Sequence, residues 1–280
     1  MNPVDPQEIA QAVCDREGYV LCGKEGQGSF KATYKVQKAD GVLLALKVFL
    51  RGTIDSRGER EIKVMMRLDH PSVAKLLGFG SVEIAGQNQY YLIEEYFAGG
   101  TLTGRLQQSI LSSDDLCQLA RPLISGLSHI AANNLVHRDI KPDNILFRDD
   151  KRAPVIVDFG VVRDLASASL TPTWMPSGPG TPLFSSPEQL NNEKPLIDWR
   201  SDQFSLGLVL AVCLFGRHPY SFPGEVASQI VDRIAQRSPQ NPEFRERTIQ
   251  SGLQQINRMI EPWPVRRYRT TAQLKSVWQA

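Results

Sequence analysis

His137-Arg138-Asp139-Ile140-Lys141-Pro142-Asp143-Asn144 is the stretch that decides how this chain of 280 residues is read. It sets an acid, a base and an amide side chain close together, between a helix-like run and a short apolar strand, Ile145-Leu146-Phe147. A second acid follows in Val155-Ile156-Val157-Asp158-Phe159-Gly160, where three apolar residues form a buried strand that delivers Asp158 to a turn. One Asp to accept a proton, with an Asn and an Asp to hold a divalent metal, is the set that phosphoryl transfer from a nucleotide requires.

Composition narrows the setting. With 41% hydrophobic and 22% charged residues the chain has an ordinary globular make-up, and its length suits one unit built of two lobes. A net charge of +2 gives no support for a nucleic-acid partner or a polybasic membrane contact. Cys14, Cys22, Cys117 and Cys213 are scattered without metal-ligand spacing, so neither a disulfide framework nor a zinc site is expected and a cytoplasmic location is the default. The apolar run from Phe204 to Phe215 is too short to cross a bilayer, and the first residues lack the zones of a signal peptide.

Working outward toward the start of the chain, Asp5-Pro6-Gln7-Glu8 reads as a capped helix opening, closed by Gly18. Residues 1–18 are therefore expected to form a helical extension that packs outside the first lobe. Two strand-like flanks surround Gly26-Gln27-Gly28-Ser29-Phe30, a tip whose glycines let backbone N–H groups approach anionic oxygens. In Val42 to Phe49, alternation puts Ala45, Lys47 and Phe49 on one face and Leu44, Leu46 and Val48 on the other. A Lys inside such a strand needs a partner. Ser56-Arg57-Gly58-Glu59 opens a helix through about Leu68, and either Glu59 or Glu61 can supply the carboxylate. Val73 to Phe79 and Tyr90 to Tyr96 read as further strands, and Glu94 shares an interior face with Leu92 unless the register slips by one.

His-Arg-Asp-x-Lys-x-x-Asn followed by Asp-Phe-Gly resembles the catalytic core of the eukaryotic-type (Hanks-type) Ser/Thr protein kinases, a motif pair with known mechanics. The resemblance runs from about Tyr19 to Trp278, and the Ser-Pro-Glu-Gln ending of its central loop looks like bacterial members. It implies an α+β, bilobal fold: a small antiparallel sheet with one main helix over 19–97, then a larger, mainly helical lobe over 98–280. It also implies ATP and magnesium, or manganese, as cofactors, and proteins bearing Ser or Thr as substrates, with autophosphorylation among the possibilities. By resemblance Ala45 lines the adenine pocket, Lys47 grips the α- and β-phosphates, and Glu61 is preferred as its partner because Met65 follows one turn later. The Glu95 carbonyl and the Phe97 amide would bind the adenine edge, with Leu146 as the floor. Glu94 falls where the family carries an apolar residue or Thr, and is expected either to compete for Lys47 or to shrink the pocket behind adenine. Lys31 and Thr33 also depart from the family pattern, at the third Gly and at the Val over adenine.

In the second lobe Asp139 would orient the substrate hydroxyl and take its proton, and Lys141 would neutralise charge on the transferring group. Asn144 and Asp158 would hold the metal. His137 is expected to be structural, packing under Phe159, with Met65, Leu76, Phe159 and His137 in one apolar column anchored by Asp202. The Ser/Thr/Pro/Gly-rich segment from Val161 ends in Gly180-Thr181-Pro182-Leu183-Phe184-Ser185-Ser186-Pro187-Glu188. By resemblance Thr181 would bond near Asp139 and Lys141, and Glu188 would pair with Arg267, because Trp263-Pro264-Val265-Arg266-Arg267 resembles the family's Asp-Pro-x-x-Arg with Trp263 in place of the Asp. Arg138 before the catalytic Asp suggests control by loop phosphorylation; the resemblance favours Ser177, which has the family's spacing before Thr181, with Thr171 and Thr173 as rivals. Two further readings stay open: a scaffold that binds nucleotide without transfer, and a small-molecule kinase on the same fold.

Overall fold

The computed structural model describes residues 4–28, 31–50, 56–148, 153–159 and 182–279, and within helix 56–65 the side chains of 59 and 62–65. Ser29, Phe30 and the whole of 160–181, with Thr171, Thr173, Ser177 and Thr181, lie outside the described residues, as does the side chain of Glu61. The chain divides into two compact units, one of residues 4–69 and 74–96, the other of 70–73, 97–159 and 182–279.

The first unit is built on five antiparallel strands: β1 (Val20–Gln27), β2 (Lys31–Gln37), β3 (Leu43–Phe49), β4 (Leu76–Ile84) and β5 (Gln87–Glu95), in the order β1-β2-β3-β5-β4. Helix α1 (Pro6–Glu17) begins at Asp5, whose side chain accepts from the Gln7 N–H, and ends at Gly18 with φ 69°. Its buried stripe of Ile9, Ala10, Val13 and Cys14 shares a core with Tyr34, Val36, Leu44, Leu46, Val48, Tyr91 and Ile93. Burying each large apolar side chain of that stripe contributes about 1.5–3 kcal/mol. Arg16 ties the end of α1 to the sheet through the Ser81 carbonyl and Tyr91, whose hydroxyl donates to Glu17 at 2.8 Å. The opposite face of β3 is thereby left to Ala45 and Lys47.

Two boundaries differ from those read in the sequence. Strand β4 starts at Leu76 and continues to Ile84, because Ala85 and Gly86, both at positive φ, turn it into β5. Val73 belongs instead to the second unit, where it bridges Ile156 in parallel. Helix α2 (Ser56–Met65) buries Ile62 and Met65 and is followed by a turn that buries Leu68, while Glu59 is exposed.

The second unit is mainly helical. After the short α3 (Leu102–Leu106), α4 (Ser113–Ala132) opens on Ser112, which accepts from the Asp115 N–H. It buries Leu116, Leu119, Leu123, Leu127 and Ile130 at helical spacing and contains Pro122 within its length. A hairpin of β6 (Ile145–Phe147) and β7 (Pro154–Ile156) follows. Then come α5 (Pro187–Leu190), α6 (Trp199–Phe215), α7 (Ala227–Ala235), α8 (Pro242–Gln250), α9 (Gln255–Met259) and α10 (Thr271–Gln279). Helix α6 opens on a polar turn, Arg200 to Gln203, and is then largely apolar on every side and buried throughout its middle, as a central helix must be. Helices α8 and α9 are kept apart at Gly252, whose φ of 69° is a left-handed turn. Gly99 is required for a second reason: a Cβ there would collide with the carbonyl oxygens of Phe147 and Arg148, where the Gly99 N–H bonds Phe147 at 3.0 Å.

Candidate active site

In the first unit the chemistry collects on the face of the sheet turned away from α1. Strand register sets Lys47 opposite Thr33 on β2 and Leu92 on β5, and sets Ala45 opposite Glu94. Lys47 and Glu94 are diagonal neighbours on one face, and the Lys47 Nζ lies 2.6 Å from Glu94 Oε2. Their side chains are 7% and 6% exposed, so this is a buried ion pair. The register slip that would have put Glu94 in water does not occur. Ala45 is buried beside the pair. Gly26 and Gln27 close β1, and the Gly28 N–H bonds the Lys31 carbonyl at 2.9 Å, which shapes the tip of the glycine hairpin. Glu95 ends β5, its carboxylate accepting from the Lys75 N–H at 3.0 Å.

In the second unit the loop before β6 is wound tightly around Asp139. Asn144, buried at the end of a short 3-10 turn, donates through Nδ2 to the Asp139 carbonyl (2.8 Å) and to its Oδ2 (2.9 Å). Lys141 Nζ approaches the same Oδ2 at 2.9 Å. Asp139 therefore has its carboxylate oriented by an amide and an ammonium while its side chain stays 23% exposed, open enough to meet a substrate. Phe97 and Leu146 also belong to this unit, Phe97 buried beneath the Arg148 guanidinium and Leu146 half-buried on β6.

Beneath this loop lies a buried support. Asp202 on α6 accepts from the His137 N–H (2.7 Å) and the Arg138 N–H (2.8 Å), and Gln189 Nε2 donates to the Arg138 carbonyl (2.9 Å). These contacts hold Arg138 at φ 67°, a left-handed conformation rare outside glycine. Burial pushes the Asp202 carboxyl up to about 7, against the two N–H donors and the Arg138 charge, which pull it down. The His137 ring packs on Phe159 with centroids 4.7 Å apart, and its Nε2 lies 3.0 Å from the Val157 carbonyl.

Asp158 is delivered to the site by β7 and stands at φ 66°. The Val157 N–H donates to the Asn144 carbonyl at 2.9 Å, so the backbone joins the two segments that carry Asn144 and Asp158. With Nδ2 of Asn144 committed to Asp139, its Oδ1 is the atom left for a ligand. An amide oxygen and a carboxylate are hard donors that suit magnesium or manganese. The two residues present fit such an ion.

Glu188 and Arg267 form a bidentate pair with both side chains 0% exposed, at 2.7 Å and 3.0 Å. Ser201 Oγ donates to Glu188 at 2.7 Å, and Arg267 also donates to the carbonyls of Glu261, Arg200 and Pro262. His218, unremarked in the sequence, donates from Nε2 to the Leu183 carbonyl (3.0 Å) and accepts the Tyr220 N–H at Nδ1 (3.2 Å). Burial pushes this imidazole down to about 4, so it is neutral and holds the segment before α5 in place. Ser201 and His218 carried no recognisable signal, and Gln189 only its place in the Ser-Pro-Glu-Gln ending, since each acts through a partner that only folding supplies.

The chain matches the family described as Protein kinase domain over residues 19–279, and it belongs to that family. It is similar to the serine/threonine-protein kinase ATG1c of Arabidopsis thaliana, 28% identical over 78% of this chain and 29% of that protein. It is also similar to the probable serine/threonine-protein kinase PkwA of Thermomonospora curvata (29% identical; 87% of this chain, 31% of that one). A third relative is the serine/threonine-protein kinase PknL of Mycobacterium tuberculosis (34% identical; 64% and 44%). The chain thus spans less than half of each of these three relatives. Helix α1 precedes the matched residues yet shares the core of the sheet.

Proposed function

We infer that this chain transfers the γ-phosphoryl group of ATP to Ser or Thr hydroxyls of protein substrates. The observation that carries the reading is the Asp139 carboxylate, held by Asn144 Nδ2 and Lys141 Nζ at 2.9 Å and still accessible. A substrate hydroxyl has too high a pKa to attack unaided; Asp139 would align it and take its proton as the new O–P bond forms. Lys141 offsets charge on the phosphoryl group in transit. Lys47 would bind the α- and β-phosphates, and Ala45, Glu94, Glu95, Phe97 and Leu146 would surround the adenine. The glycine hairpin, with Ser29 and Phe30 at its tip, would cover the phosphates. Asn144 Oδ1 and Asp158 would hold magnesium, which when bound supplies positive charge to the phosphates.

Lys141-Pro142 and the Gly180-Thr181-Pro182 run support Ser/Thr rather than Tyr as acceptor. The buried Glu188–Arg267 pair, which braces the segment next to the catalytic loop, supports a protein acceptor over a small molecule. Arg138 supports control by phosphorylation at Ser177, or at Thr171 or Thr173; replacing all three by Ala should abolish activation by preincubation with ATP. No helix among the described residues is long and apolar enough to cross a membrane, and a cytoplasmic location is proposed on that basis and on the scattered cysteines.

The test is radiolabel transfer from ATP to a generic protein acceptor by the purified chain. Asp139→Asn should lower kcat by about 10²–10⁴-fold with nucleotide binding retained. The second reading, a scaffold that binds nucleotide without transfer, is favoured by one observation, the engagement of Lys47 by Glu94. Binding of ATP by the wild-type chain with no transfer above the Asp139→Asn level would establish it.

A further inference from the structure

Glu94 is a carboxylate buried where its cross-strand neighbours are apolar: Ala45 faces it from β3 and Leu76 from β4. Only 5% of the residue is exposed, and among the described residues Lys47 is its one side-chain partner, at 2.6 Å. Burying an ionised carboxylate between Ala and Leu is strongly unfavourable unless a cation compensates it. Folding the sheet therefore brings the ammonium to Glu94, and backbone hydrogen bonds between β3 and β5 fix the spacing of the two residues. An acid carried on a helix is different in kind. A helix packed on a sheet through side chains alone can shift as a body, and any pair it makes then changes with that shift.

From this geometry we propose that Glu94, on the sheet, is the residue that positions Lys47 for the nucleotide phosphates in this chain. Glu61, on α2, is then the lesser determinant of where the ammonium points. The proposal rests on the phosphate-binding role of Lys47 given above. Its consequence is regulatory. Where the acid is helix-borne, moving the helix switches the lysine in or out of position; where it is strand-borne, the lysine stays placed whatever the helix does. Activity here would then be governed at other points than α2, and a ligand that displaces α2 would leave Lys47 in register. Glu94 touches no reacting atom in this scheme; besides its place at the adenine pocket, it acts through Lys47.

Two readouts test it on the full chain: the rate at which acetic anhydride labels Lys47, followed by mass spectrometry without nucleotide, and steady-state kinetics with ATP varied. Glu94→Leu and the nearly isosteric Glu94→Gln are compared with Glu61→Gln, circular dichroism verifying that each is folded. Loss of a charge-assisted hydrogen bond spans about ten- to a hundredfold in an equilibrium. Both Glu94 variants should accordingly raise the Lys47 labelling rate about tenfold or more and raise KM for ATP more than they lower kcat. Glu61→Gln should change labelling and KM by a clearly smaller factor than either. The reverse order, or Glu94 variants within about twofold of wild type in both readouts, overturns the proposal. Should Glu94→Leu fail to fold, Glu94→Gln decides alone. If wild type itself transfers no phosphate, the proposed function fails, while the labelling rates still judge the Lys47–Glu94 pair.

Discussion

Two buried ion pairs, one in each unit, are built on opposite plans. Glu188 takes three donors, two from Arg267 and one from Ser201, and Arg267 spends its other N–H groups on three backbone carbonyls. Such a network is saturated, and it rivets α5 to α6 and to the turn before Tyr268. Glu94 has Lys47 alone among described side chains, with Ala45 and Leu76 across the strands. Saturation marks a structural joint; sparse partnering around a buried charge marks a place where binding energy can still be collected. The comparison also turns on which partner remains when one is removed. A guanidinium left alone stays charged, whereas a carboxylate left alone can take up a proton.

Glu188→Ala should be the most damaging test, because it strands the Arg267 charge at zero exposure. A loss of about 3–5 kcal/mol in urea unfolding is expected. An effect no larger than that of Lys47→Met would break the contrast between the two pairs.

Next in size is a pH effect in the same unit. His218 is pushed down to about 4 from 6.5, chiefly by burial. As pH falls from 6.5 toward 4 the unfolded imidazole gains a proton that the folded one refuses, so stability is lost across that window. The drop is about 3 kcal/mol and leaves stability above pH 6.5 untouched. Asp202 works in the opposite sense. Its folded value near 7 means that between about 4 and 7 the folded state holds a proton the unfolded chain has released, so its contribution rises as pH falls. The two are separated by comparing wild type with His218→Gln. The variant should have lower stability at neutral pH and a smaller loss on acidification, read from thermal unfolding at stepped pH.

Lys47→Met should abolish transfer yet cost only about 1–3 kcal/mol of stability, the penalty of one buried polar group left without its partner. Adding Glu94→Leu should recover part of that loss without recovering transfer. A double variant less stable than Lys47→Met alone would show that the carboxylate has a partner beyond the lysine. The smallest effect expected is that of Gly207→Ala on α6, where a Cβ would stand 2.6 Å from Ile260 Cγ2 and 2.9 Å from Met259 Cβ. Overpacking there should cost about 1–3 kcal/mol, leaving KM for ATP unchanged if the joint in the second unit is only structural.

Much of the fold was legible beforehand because its signals are local. Asp5, Pro6 and Gly18 bound α1 by cap chemistry, and the alternation of Leu44 to Phe49 separated two faces of β3. The motif order around Asp139 and Asp158 implied a kinase, and the family match over 19–279 bears that out. Less was legible where a short element carries little periodicity. Helix α3 has five residues and α5 four, too few to show a pattern against their neighbours. The sequence suggests that β4 stops at Phe79, since Gly80 and Ser81 resemble a turn, whereas pairing with Tyr90 and Tyr91 carries the strand onward to Ile84.

Chain order alone determined which residues are chemically able to act: acids, amides and a strand-borne lysine set at turns and strand ends, since turn and strand preferences are properties of a few neighbouring residues. Tertiary structure alone decided which of them meet. The choice of Glu94 for Lys47, of Gln189 for the Arg138 carbonyl and of His218 for Leu183 depends on strand register and helix packing across tens of residues. A buried charge takes whichever partner the folded backbone brings within hydrogen-bond reach, because the low-dielectric interior leaves it no alternative in water.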